Sequence, residues 1–102
     1  MKSLKILGQR FKVSFKDSLI DDEYGIIQGR MSSHHNTIDI RKSNPVLEMD
    51  TVIHEIFHAI EHKMGIDHNE YWVNKVATGF AQVLTDNPLL ISYLQDKIKE
   101  GK

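Results

Sequence analysis

The stretch His54-Glu55-Ile56-Phe57-His58-Ala59-Ile60-Glu61-His62 spaces three histidines four residues apart, with a glutamate directly after the first. Residues four apart on a helix share a face. Two imidazoles one turn apart can hold one metal ion from that face, and the glutamate beside the first can act as general base. A catalytic zinc takes three protein ligands and keeps a fourth position open, so the chain must supply one more donor. The candidates are Glu70, His62, His68, Asp67 and the pair His34/His35. Three consecutive residues at this spacing extend along about 12 Å of helix, which takes His62 too far from an ion seated between His54 and His58. His34 and His35 fall in an expected loop and read as plain loop residues. Glu70 qualifies if the following helix folds straight back on the first. Asp67-His68-Asn69-Glu70 is also spaced like a capping box, which would give Glu70 a purely local role. Glu70 and His68 therefore both stand as third ligand. Asn74, one turn beyond Glu70, is the expected acceptor for the outer N–H of a ligand histidine. Glu61 either orients a neighbour or is solvated.

The surrounding chain must position these groups. It has 102 residues, enough for one domain spanning 1–102 with a single modest core. Hydrophobic residues make up 40% and charged residues 26%, with a net charge of −1, as in a globular protein in water. Lysine and arginine are scattered, so no nucleic-acid footprint is expected. No apolar run is long enough to span a bilayer. The basic start MKSLKILGQRFKV lacks an uninterrupted apolar stretch and does not read as a secretory signal, so the expected compartment is the cytoplasm. With no cysteine, a metal must be held by nitrogen and oxygen donors.

Strand patterns come first. FKVSF alternates Phe11, Val13 and Phe15 with polar residues, and LKIL before it is a weaker strand. DSLIDDE reads as a polar connection, YGIIQGR as a further strand, MSSHHN as a loop and TIDIR as a strand. At Ser43-Asn44-Pro45 the period changes, with a cap followed by proline in the first turn. Val46, Met49, Val52, Ile53, Ile56, Phe57, Ile60 and Met64 then recur at helical spacing until Gly65. A second helix is expected from Asp67 to Thr85 and a short third over LLISYLQDKIK. Trp72 and Phe80 read as core residues, or as part of a partner surface. Strands followed by helices predict an α+β fold: a small twisted N-terminal sheet of three or four strands, packed on the HEIFH helix and one or two further helices.

Taken in order, TIDIR, HEIFH, the turn KMGID and the helix start EYWVNKVA resemble the minimal gluzincins. The likeness is greatest to the ImmA/IrrE-like metallopeptidases, including their short phage and prophage forms, and covers residues 37–85. The resemblance implies a zincin-like domain with zinc held by His54, His58 and Glu70, and Glu55 as general base. It also implies that the strand Thr37–Arg41 borders the cleft and takes up an extended peptide by strand addition. The implied partner is a protein or peptide substrate, such as a regulatory protein cut on a trigger. The chain departs from the pattern in placing only 11 residues between His58 and Glu70. His68-Asn-Glu-Tyr-Trp is faintly similar to the SprT-like family, which uses a third histidine; that family's glycine and C-terminal zinc ribbon are absent. From the residues and the resemblance together, the expected activity is zinc-dependent peptide hydrolysis. The alternative is a zinc-binding regulatory module without turnover.

Overall fold

A computed structural model describes residues 1–102. The chain begins with a hairpin, β1 (Ser3–Ile6) and β2 (Gln9–Lys16). Its turn has Leu7 and Gly8 both at positive φ, 47° and 86°, the two-residue geometry that matches strand twist and suits glycine at the second position. Two minimal strands follow, β3 (Ile20–Asp21) and β4 (Gly25–Ile26), paired as a small separate hairpin. Asp21 Oδ1 accepts the backbone N–H groups of Glu23 and Tyr24 and fixes that turn. Next come β5 (Gly29–Ser32) and β6 (Thr37–Arg41). The main sheet has the order β1-β2-β6-β5, with β2 and β6 parallel and the other pairs antiparallel. The expected polar connection and loop are thus partly strand: Ile20 and Asp21 pair with β4, and Met31 and Ser32 belong to β5.

Helix α1 (Pro45–Met64) starts as its sequence dictates. Asn44 accepts the Leu47 N–H and Pro45 occupies the first turn. It ends at Gly65 in the left-handed region, φ 67°. There Gly65 N–H donates to the His62 carbonyl and Ile66 N–H to the Glu61 carbonyl, which closes the helix tightly. Helix α2 (Glu70–Asp86) begins at once. Its cap is Asn69, which accepts the Trp72 N–H, and not Asp67. Helix α3 (Pro88–Glu100) completes the chain as described. No helix is long and apolar enough to cross a membrane.

Three stripes of α1 organise the packing. Val52, Ile56, Ala59 and Ile60 lie against the sheet residues Ile6, Phe11, Val13, Ile38 and Ile40. Met49, Ile53 and Phe57 face Ala77, Ala81 and Leu84 of α2. The third stripe carries His54, Glu55, His58 and Glu61. The fold is α+β, a mixed four-stranded sheet with three helices, and α1 holds its polar stripe by packing on both flanks.

Candidate metal centre

The tight turn after Gly65 decides the geometry. It returns the chain so that Glu70, the first residue of α2, reaches both histidines of α1. Glu70 Oε1 lies 2.7 Å from His54 Nε2, and Oε2 lies 3.0 Å from His58 Nε2. The two Nε2 atoms are 2.9 Å apart. The short spacing from His58 to Glu70 is therefore long enough.

His58 is buried, and its Nδ1 lies 2.7 Å from Glu61 Oε1. The other Glu61 oxygen accepts the Asn69 N–H at 3.0 Å. Burial pushes the Glu61 carboxyl up, but the His58 hydrogen bond, the Asn69 N–H and the two nearby imidazoles outweigh it and hold the group below its ordinary value. Glu61 thus engages Nδ1 of His58 and leaves Nε2, 3.0 Å from Glu70 Oε2, as the nitrogen directed at a ligand. Burial lowers the His54 pKa, and the neighbouring His58 adds to this, against the Glu70 carboxylate. Neutral imidazole is the metal-binding form. Donors on a tetrahedral zinc stand about 3.3 Å apart at bond lengths of about 2.0–2.1 Å, so these three need relax apart only by tenths of an ångström. His54, His58 and Glu70 form a group positioned to hold a metal ion.

A second such group is His58, Glu61 and His68. It uses the other nitrogen of His58, which Glu61 already engages. His68 lies over His58, ring centroids 4.6 Å apart, with Nε2 3.4 Å from Glu70 Oε2. It is largely exposed at the rim of the cleft.

Glu55 is buried, 4.0 Å from His54 Nε2. Burial, and secondarily the Glu70 carboxylate, pushes its carboxyl up to about 7, against a hydrogen bond from the Met31 backbone. Strand β5 comes this close because residue 29 is glycine. A Cβ there would meet Thr51 Cγ2 at 2.7 Å and Glu55 Oε2 at 3.1 Å. The Arg41 N–H bonds the Gln28 carbonyl, so by antiparallel alternation the backbone groups of Gly29 and Met31 turn away from β6, toward the helix and cleft. The cleft, about 820 Å³, is floored by His54, Glu55, His58 and Glu70 and flanked by β5, with Asp21 and Tyr24 of the β3–β4 hairpin at its margin.

Two expectations are corrected. Thr37–Arg41 does not border the cleft: β6 is paired on both sides, by β2 and β5, and has no edge free for a peptide. The exposed edge at the cleft is β5. Asn74 does not hold a ligand histidine. It is exposed and lines a small cavity beside His54 with Asp50 and Thr78, while the partner of His58 is Glu61. Of the remaining candidates, His62 lines the cleft outside the three-donor group, and His34 and His35 lie on the β5–β6 turn, away from it.

Comparisons with protein-family models, with curated proteins and with solved structures returned no match.

Proposed function

We propose that this protein is a zinc-dependent metallopeptidase with a zincin-like domain of the ImmA/IrrE-like gluzincin type. The observation that carries the reading is the convergence of His54, His58 and Glu70 within 3.0 Å of one another beside a buried Glu55. In this reading those three residues hold the ion. Zinc supplies Lewis-acid polarisation of the scissile carbonyl and makes water a nucleophile near neutral pH. Glu55 takes the proton of the attacking water and delivers it to the leaving amine. The substrate is an extended segment of a peptide or protein, aligned by the outward backbone groups of Gly29 and Met31 on the free edge of β5. Tyr24 at the cleft margin and His68 at its rim are the side chains best placed to contact it. The compartment proposed is the cytoplasm.

Metal content by mass spectrometry tests the site, measured on wild type, His58→Ala and Glu70→Ala. One zinc per chain, lost in both variants, is expected. Zinc kept in Glu70→Ala would transfer the third position to His68 and favour the SprT-like arrangement. Glu55→Gln then separates an enzyme from a regulatory binding module: a peptidase keeps its zinc and loses turnover, whereas a module has no turnover to lose.

A further inference from the structure

The helical half of the molecule is not closed. The chain exposes 7320 Å² at a mass of 11.8 kDa, whereas a compact monomer of that mass exposes about 5,900 Å². Its radius of gyration, 14.3 Å, exceeds the roughly 12.8 Å of a compact chain this long. One contributor is α3, none of whose residues is buried, although Leu90, Ile91, Leu94 and Ile98 share one face and make it amphipathic. Helix α2 has a matching deficit. Its Ala77 stripe packs on α1, but a second stripe, Trp72, Val76, Phe80 and Val83, runs down one flank. Trp72, Phe80 and Val83 in it are each about half exposed. The spacing of four, four and three is that of a helix-packing seam. At the α2–α3 corner this stripe opens into a recess of about 510 Å³ lined by Val83, Asp86, Asn87, Pro88, Leu89 and Leu90.

The two faces need each other and cannot meet within one chain. An antiparallel helix pair requires a connection of about two to five residues. Here Asn87 alone separates α2 from α3, and Pro88 follows it. Helix α3 is thereby held pointing off the end of α2, unable to fold back along it.

We propose that the occupant is a second copy of this chain, in a two-fold dimer in which α3 of each copy lies along the Trp72–Val83 stripe of the other. The reciprocal arrangement is closed and isologous, the commonest oligomer symmetry. The surplus of about 1,400 Å² over the compact expectation, to which the α2 stripe and α3 both contribute, leaves room for the roughly 800 Å² per partner of a standard stable interface.

Light scattering coupled to size exclusion tests this on the full chain, from about 1 to 100 μM, with helicity followed by circular dichroism. Wild type should run at twice the chain mass of 11.8 kDa. Val83→Glu on α2 and Leu94→Glu on α3 lie at exposed positions and should each give a monomer with helicity intact. Inserting four Gly/Ser residues between Asn87 and Pro88 should also give a monomer, because α3 can then cover its own α2. A wild type that stays monomeric at 100 μM overturns the proposal and leaves the face to a different partner. A dimer that survives Val83→Glu and Leu94→Glu overturns it in favour of another interface. A dimer that survives the insertion overturns the tether argument.

Discussion

Replacing Glu55 with Gln should stabilise the metal-free protein at neutral pH. In that state burial, and next the Glu70 carboxylate, raises the Glu55 carboxyl from 4.5 to about 7. Between those values the folded chain keeps a proton that the unfolded chain releases, so stability falls as pH rises through the interval. At about 1.4 kcal/mol per pH unit, the loss reaches about 3 kcal/mol by pH 7. The stabilising contribution is complete below pH 4.5 and gone above 7. Gln has the same shape, can still accept from the Met31 N–H, and never ionises. For a domain of about 100 residues, 3 kcal/mol corresponds to a Tm difference of more than about 10 °C. Thermal melts in chelator from pH 4 to 8.5 should therefore give coincident Tm values near pH 4. At pH 7.5 Glu55→Gln should melt well above wild type. His54 contributes with the opposite sign: its pKa is lowered, so its share of stability grows as pH rises toward and past the unfolded value of 6.5. Both proteins carry that term, and it cancels in their difference. Saturating zinc should narrow the gap, because a cation beside Glu55 favours the charged form. A Tm difference that is constant across pH, or a less stable variant at pH 7.5, would refute the assignment of Glu55 as a buried, charge-strained base.

Zinc at about 100 times its Kd should stabilise chelated wild type by about 2.7 kcal/mol, visible as a Tm rise of about 10 °C that His58→Ala and Glu70→Ala abolish. Glu61→Gln should keep the fold and weaken zinc binding about 10- to 100-fold in a chelator competition. Asn74→Ala should leave that affinity unchanged, and a comparable loss in Asn74→Ala would return the partner role to Asn74. Gly29→Ala should cost about 1–3 kcal/mol in denaturant melts, since the new methyl reaches Thr51 Cγ2 and the Glu55 side chain. Full stability in that variant would mean that β5 does not depend on its close approach to α1.

What was legible in the sequence follows from how far each signal reaches along the chain. Helix α1 was fully readable because its start, its stop and its periodic stripe are local: Asn44 and Pro45 open it, Gly65 closes it, and two apolar stripes leave one polar stripe containing HEIFH. Glu70 was reachable because the Gly65 turn limits where α2 can go. Asn69, not Asp67, caps α2, and that two-residue difference puts Glu70 at the first helical position with its carboxylate over both histidines. Glu61 carried a readable signal as well, three residues after His58 on the same helical face. Its partner in Asn69 depends on the turn, which is why a solvated surface role competed with it.

Other features depend on pairings between distant segments. TIDIR reads as a strand in any register, but its place inside the sheet depends on β2 lying parallel beside it and β5 closing its other side. Gly29 reads as punctuation in the sequence. Only the approach of α1 makes it the point at which a strand edge meets the Glu55 carboxylate. Trp72 and Phe80 repeat at helical spacing, and Phe80 rests partly against Phe57, yet both stay about half exposed, because one residue joins α2 to α3 and α3 does not fold over them. A helical stripe records that a residue must be buried and says nothing about which chain buries it. The same pattern that located the core of α1 on the sheet therefore points, on α2 and α3, to a surface completed by a second molecule.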